Sequence, residues 1–251
     1  MSKFLLKVLL FFVFHLSFLY ADEITIVADE WCPYNCVPGS DKPGYVVEVA
    51  NLIFAKKGHR LIYKTDSWSR TLKGVQQGIY TGAIAATREE LPDGIFPENN
   101  LGFYGNYFVV RSESEWRYES LSSLRNLKLG VIKDYNYGDS INNYIQNSPT
   151  TVVKSGADAV KKNLGDLYRG IIDVYLEDHN VANYETKQLS LEKYLKLAGS
   201  EGKPIALYIG FTPTSKHSHQ YAQLLSDGIS EIRSSGELAD ILAKYGLKGW
   251  Q

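Results

Sequence analysis

Two distant segments of the chain share one pattern: a helix, a glycine, and a short apolar strand that ends in polar residues. The first strand ends in Thr87-Arg88, and the second ends in Glu177-Asp178. In α/β proteins, ligands bind beyond the carboxyl ends of the strands. If each strand belongs to its own lobe, a hydroxyl and a cation can face two carboxylates across a cleft. This arrangement suits a small zwitterion and predicts a binding protein.

The strand ends leave alternatives open for each charged residue. Arg88 could hold a carboxylate through two parallel hydrogen bonds, or it could form a surface ion pair with a neighbouring glutamate. Arg70, one turn into a predicted helix, could face the site or pair with Asp66. Asp178 has a rival in Glu177, because successive strand residues face opposite ways. Asp178 could also cap the helix that follows it.

Aromatic residues are the second class of candidates for the cleft. We predict that Tyr34, Trp68 and Tyr135 form its walls, with Tyr137 as a weaker candidate, since aromatic faces bury apolar parts of a ligand and attract cations. The alternative is ordinary core packing, and the chain has 18 tyrosines, so that alternative is strong.

The N-terminus carries a short apolar run behind two lysines. Lys3 and Lys7 precede the apolar residues 8–20, and Ala21 precedes an acidic pair. The pattern is typical of a secretory signal peptide over residues 1–21, and we predict cleavage after Ala21. An uncleaved anchor is the alternative, but the run is short for a span of about 20 residues. We therefore expect a periplasmic protein.

The two cysteines, Cys32 and Cys36, lie close together in an aromatic loop. In an exported protein such a pair predicts a disulfide. A redox pair and a metal site are the alternatives, but the redox motif has two intervening residues and this pair has three. The formal net charge of −1, without basic runs, argues against nucleic-acid binding.

Strand and helix patterns alternate from Glu23 onward, which favours an α/β fold with mostly parallel sheets. Two such cycles predict two lobes and a monomer. We assign residues 22–111 plus 205–251 to lobe 1 and residues 112–204 to lobe 2. The crossings would lie near 107–111 and 205–211, which makes a hinge of two segments. We expect the C-terminal helices to return to lobe 1.

Several segments together resemble the periplasmic solute-binding proteins of the amino-acid-binding kind (family 3), which are subunits of ABC importers. These segments are the loop of Trp31 and Tyr34, Pro43-Gly44-Tyr45, Leu129-Gly-Val-Ile132, residues 170–178, and Ser235-Gly236 with Tyr245-Gly246. The resemblance covers nearly all of the chain after residue 21. It implies a type II periplasmic-binding fold, with a helix-flanked sheet in each lobe and a ligand between the lobes.

The resemblance also implies roles for single residues. The family's ammonium-binding aspartate falls on Asp178. Its carboxylate-binding arginine usually follows the threonine at Thr87 by a few residues, where this chain has Leu91 instead. A branch with a Trp-x-Arg motif, like Trp68-Ser-Arg70, places an arginine directly beside that threonine. We therefore assign Thr87, Arg88 and Arg70 to the ligand site.

The sequence carries no hydrolase elbow, zinc-protease motif, phosphate loop or dinucleotide fingerprint. We therefore predict no catalytic residue, cofactor or metal. Three functional classes follow from the resemblance. The first is delivery of a solute to an ABC permease. The second is a sensor that docks on a membrane kinase or cyclase. The third is an exported dehydratase of cyclic amino acids, for which Glu177 is the available general acid.

Overall fold

The computed structural model describes residues 21–249. The predicted signal peptide, apart from Ala21, lies outside the described residues. Among the residues described, no helix is both long and apolar enough to cross a membrane.

Strands and helices alternate along most of the described chain. In order, they are β1 (Glu23–Ala28), α1 (Tyr45–Lys56), β2 (Arg60–Thr65), α2 (Trp68–Gln76), β3 (Gly82–Ala86), β4 (Phe103–Arg111), a 3₁₀ helix (Leu121–Leu124), β5 (Leu129–Ile132), α3 (Asp139–Asn147), β6 (Thr151–Lys154), α4 (Ala159–Tyr168), β7 (Val174–Glu177), α5 (His179–Gln188), β8 (Leu195–Ala206), β9 (Tyr208–Phe211), α6 (Ser218–Ser235) and α7 (Glu237–Lys244).

The first sheet has four strands in the order β2-β1-β3-β9. β1 runs parallel to β2 and β3, and β9 is antiparallel to β3. Helix α1 buries a stripe that includes Val46, Val49 and Ile53, and it packs against α6 and α7. The spacing of that stripe is the helical repeat seen in the sequence. The C-terminal helices therefore return to this sheet, as predicted.

The second sheet has five strands in the order β6-β5-β7-β4-β8. β5 is parallel to β6 and β7, whereas β4 is antiparallel to β7 and β8. Helix α4 packs on β5 and β7. We use the name lobe 1 below for residues 21–102 and 207–249, and lobe 2 for residues 103–206.

The sheet pairing corrects the predicted boundaries of the lobes. We placed residues 103–111 in lobe 1, but β4 pairs with β7 and β8 in the second sheet. The two crossings instead lie side by side, where Leu101 N donates to Leu207 O (2.8 Å) and Leu207 N donates to Gly102 O (2.9 Å). The polar segment 112–123 reads as a linker in the sequence and suggested a crossing at 107–111, but it is a loop within lobe 2.

Strand β8 was missed from the sequence. Its residues, Leu195–Ala206, include glycines, charged side chains and Pro204, which all disfavour a strand. β8 lies at the edge of the second sheet, and an edge strand tolerates a proline because one side of its backbone has no strand partner. Its pairing with β4 supplies the order that its own sequence does not predict.

Candidate functional site

A cleft lies between the lobes, beyond the carboxyl ends of β1, β3, β5 and β7 and beside the start of β4. Its volume is about 40 Å³, which is room for about three water molecules. It is lined by Asp29, Trp31, Asn35, Trp68, Ile84, Ala85, Glu90, Tyr104, Gly105, Asn106, Tyr135, Asn136, Tyr137, Glu177 and Asp178. The cleft therefore lies at the edge of both sheets where the general rule for α/β folds places ligands.

Asp29 follows β1 and contributes a buried carboxylate from lobe 1. It is 3 % exposed, and its Oδ2 accepts a hydrogen bond of 2.6 Å from the Tyr135 hydroxyl of lobe 2. Burial raises the pKa of Asp29 to about 8, and the nearby carboxylates of Glu177 and Glu90 add to the increase. Asp29 thus bonds directly to a residue of lobe 2.

Glu177 ends β7 and points to the same cleft from lobe 2. Its Oε1 accepts from Trp31 Nε1 of lobe 1 (2.8 Å) and from Asp178 N (2.7 Å), and its Oε2 accepts from the Tyr175 hydroxyl. Burial raises its pKa to about 7, against the lowering effect of these hydrogen bonds.

Asp178 both lines the cleft and caps α5. Its Oδ1 accepts from Asn180 N (2.8 Å), Val181 N (3.1 Å) and the Tyr34 hydroxyl (3.0 Å), and its Oδ2 accepts from Gly105 N (3.1 Å). The capping role that the sequence left open is therefore present. Burial raises the pKa of Asp178 above the usual value.

Glu90 is the fourth carboxylate, and a tight turn after β3 positions it. Its Oε2 accepts from Thr87 N and Thr87 Oγ1 (both 2.9 Å), while Glu90 N donates back to Thr87 Oγ1 (3.2 Å). This is the reciprocal bonding of a capping box. Its Oε1 accepts from Trp68 Nε1 (3.0 Å) and from Asn136 N of lobe 2 (3.2 Å). Loss of water contact raises the pKa of Glu90.

The aromatic loop after β1 is fixed by the predicted disulfide between Cys32 and Cys36, whose Cα atoms are 4.8 Å apart. Trp31 N also donates to Asn35 O (2.8 Å) within the same loop. Trp31 lines the cleft, and Tyr34 stacks behind it with ring centroids 4.4 Å apart. The loop therefore presents a tryptophan to the cleft where we predicted a tyrosine.

The two predicted arginines lie outside the cleft. Arg70 is exposed, and its Nε donates to Asp66 (2.5 Å), which is the ion pair that the sequence left as an alternative. Arg88 is also exposed, and its guanidinium lies over the rings of Phe96 (4.9 Å) and Tyr208 (5.4 Å). These positions do not support a ligand role for either arginine. That role stays a prediction.

The structure brings together only part of the predicted site. Trp68, Tyr135 and Asp178 line the cleft, as does Tyr137, whereas Tyr34 and Thr87 lie behind the lining residues. Sequence reasoning missed Asp29 and Glu90 altogether. Asp29 carried a usable signal, since it directly follows a predicted strand. Glu90 carried one too, because Thr-x-x-Glu is a capping-box pattern.

Comparison with known proteins agrees with this architecture. Residues 24–248 match the family model described as bacterial extracellular solute-binding proteins, family 3. Comparison with curated proteins gives no significant match.

Among solved structures, a histidine kinase sensor domain with similarity to periplasmic binding proteins superposes with a TM-score of 0.74 at 18 % identity, covering 89 % of this chain and 95 % of that chain. AbpA from Streptococcus pneumoniae, an amino acid ABC transporter substrate-binding protein bound to L-arginine, gives 0.73 at 20 % identity, covering 89 % and 94 %. An ancestral arginine-binding protein bound to arginine gives 0.73 at 17 % identity, covering 89 % and 97 %.

These likenesses establish the two-lobed type II fold, and the family match extends over almost the whole of the described chain. The chain belongs to the bacterial extracellular solute-binding proteins of family 3.

Proposed function

We propose that this protein binds a small amine-bearing solute between its lobes, in the periplasm, and delivers it as a monomer to an ABC permease. The observation that carries the proposal is the cleft itself, where carboxylates from both lobes converge: Asp29 and Glu90 from lobe 1, Glu177 and Asp178 from lobe 2. An ammonium or guanidinium group is the natural partner of such a cluster. The amino-acid ligands of the structural neighbours are consistent with an amine.

Contacts across the cleft support a hinge mechanism. Trp31 of lobe 1 donates to Glu177 of lobe 2, and Tyr135 of lobe 2 donates to Asp29 of lobe 1. A backbone hydrogen bond of 2.8 Å also joins Glu30 N to Ala157 O. A solute that touches both groups of carboxylates would favour the closed state by its differential affinity. The permease would then recognise the closed form.

Two measurements test this proposal. Mass spectrometry of solute released from gently purified protein identifies the ligand, and we expect a small molecule with a basic nitrogen. Small-angle X-ray scattering should then show a smaller radius of gyration with that solute than without it. An unchanged radius at saturating solute, or a neutral sugar in the extract, would contradict the proposal.

Sensing is the second candidate function, because one structural neighbour is a histidine kinase sensor domain. In that case the closed form would dock on a membrane receptor. Reconstituted transport separates the two candidates. Solute uptake into vesicles that carry the permease, dependent on this protein, supports delivery, whereas loaded protein that changes the activity of a receptor kinase supports sensing.

The family and the structural neighbours are binding proteins, so we place no catalytic step in the cleft. Glu177, the general acid that a dehydratase would need, already accepts three hydrogen bonds. Incubation of the solute with the protein should return it unchanged.

A further inference from the structure

The cleft is rich in carboxylic acids. Four of its lining residues are carboxylic acids, and no lysine, arginine or histidine lines it in the described part of the chain. Arg70 and Arg88 are engaged at the surface with Asp66 and with two aromatic rings. A ligand that carried its own carboxylate would therefore enter a cluster of acids with no cation to receive it.

Four hydrogen-bond donors of the cleft are already bonded to these acids. Trp31 Nε1 donates to Glu177, and Trp68 Nε1 donates to Glu90. The backbone N–H groups of Gly105 and Asn136 donate to Asp178 and Glu90. An anionic group would need donors of this kind, and each of them is bonded to a protein carboxylate.

A buried acceptor is left over at the same place. Asn35 lines the cleft and is fully buried, and its Oδ1 has no hydrogen-bond partner among the described residues. Its Nδ2 donates to Asp29 O (2.6 Å). A buried acceptor without a partner is costly, so this atom favours a ligand that donates an N–H group.

The walls of the cleft favour the same ligand. Trp31, Trp68, Tyr104, Tyr135 and Tyr137 surround the carboxylates. Aromatic faces attract cations, and they do so more strongly where water is excluded. The cleft is small, with a volume of about 40 Å³, when the lobes are in contact as described.

We propose that the cleft selects a small organic cation that carries N–H donors and no carboxylate, held between Asp29 and Glu177 against the tryptophans. This inference rests on the proposed solute-binding function and narrows the class of solute. It departs from the zwitterion that the sequence predicts, because the cationic half of that ligand has partners in the cleft and the anionic half has none.

Matched pairs of compounds test the inference on the purified protein. Each amino acid is compared with its decarboxylated amine: glycine with methylamine, serine with ethanolamine, ornithine with putrescine, and arginine with agmatine. Calorimetry and ligand-induced thermal stabilisation report affinity. We expect at least one amine to bind at least tenfold more tightly than its amino acid, with the smaller pairs giving the clearer difference.

Three outcomes would overturn the inference. If the amino acids bind as tightly as their amines in every pair, the inference is overturned but the proposed solute-binding function is not. Binding of tetramethylammonium alone would also overturn it, because that cation has no N–H group. Failure of every compound, with no solute in the extract of the protein, would count against the proposed function as well.

A pair of charge-neutralising variants tests where the ligand binds. Asp29→Asn and Glu177→Gln should each weaken binding of the preferred amine by more than tenfold, because each removes a carboxyl group that ionises when the cation binds. Asp240→Asn is the matched control, since Asp240 is exposed on α7 and is not among the residues that line the cleft. Affinities of the two cleft variants equal to that of Asp240→Asn, with all three variants folded by thermal melting, would contradict the placement.

Discussion

The ends of β3 and β7 have the same predicted design but opposite outcomes. After β7 the chain enters α5 at once, and Asp178 caps that helix with its carboxylate at the cleft. After β3 the chain closes a turn between Thr87 and Glu90, and Arg88 projects outward onto Phe96 and Tyr208. The residue that reaches the cleft from β3 is thus an acid, where a cation was expected.

The difference shows what a strand end does and does not determine. The carboxyl end of a strand places a segment at the ligand edge of the sheet. The local bonding of the next few residues then decides which side chain faces inward. A helix start orients the capping aspartate after β7, whereas a capping-box turn orients Glu90 and leaves the two residues between Thr87 and Glu90 facing outward. Both ends consequently add carboxyl groups to one cleft.

Loss of Asp178 should have the largest effect on stability. Asp178→Ala removes a helix cap and leaves the donors of Gly105 and Tyr34 without their carboxylate, so we expect a loss of about 2–3 kcal/mol in the free energy of unfolding. Asp178→Asn keeps the capping oxygen and should lose about 1 kcal/mol or less. Urea denaturation measures both. Equal losses for the two variants would mean that charge, and not capping, makes this strand end stable.

The acid cluster should make stability depend on pH. The folded protein holds protons on Asp29 and Glu177, with pKa values of about 8 and about 7, that the unfolded chain releases at lower pH. Because the unfolded state then binds fewer protons, the free energy of unfolding should fall as pH rises from about 5 to about 8, by more than about 1 kcal/mol. Urea denaturation at several pH values measures the slope.

The same linkage predicts the direction in which binding affinity changes with pH. A cation in the cleft lowers the pKa of both carboxyl groups, so its affinity should rise between pH 6 and 8 with release of protons, which calorimetry in buffers of different ionisation enthalpy detects. Asp29→Asn should flatten both pH profiles, and Asp240→Asn should not. Stability that does not change with pH over this window would show that both acids are ionised throughout.

Much of this architecture was accessible from the sequence, because it depends on local patterns. Alternating strand and helix periods gave both sheets, and a close cysteine pair gave the disulfide that fixes Trp31. Strand β8 and the partners of β4 were not accessible, since edge position and antiparallel pairing arise only when the sheet assembles. Sequence patterns predict the sheet edge at which the cleft lies, but they do not predict which side chains line it. The direction of Arg88 depends on a turn that closes two residues later, at Glu90.

Loss of the hydroxyl in the turn after β3 should have the next largest effect on the free energy of unfolding. Thr87→Val keeps the shape of the side chain but removes the hydroxyl that both donates to and accepts from Glu90. We expect a loss of about 1 kcal/mol in the free energy of unfolding, as for other capping residues. Thr214→Val, which removes an exposed hydroxyl near β9, is the control and should change stability less. If Thr87→Val leaves the free energy of unfolding unchanged, the turn does not orient Glu90.

The smallest expected effect tests the comparison most directly. Arg88→Ala removes an exposed side chain that contacts two aromatic rings, so the free energy of unfolding should change by less than about 1 kcal/mol. Affinity for the preferred solute should change by less than twofold, and Arg70→Ala should behave alike because its partner is Asp66. If Arg88 anchors a ligand carboxylate, its loss should instead weaken binding by well over tenfold, as truncation of a desolvated charge pair does. That result would restore the zwitterion, and with it the prediction that the strand ends of the two lobes carry opposite charges. Isothermal titration of both variants with one solute is sufficient to decide, because the two expectations differ by more than the error of the measurement.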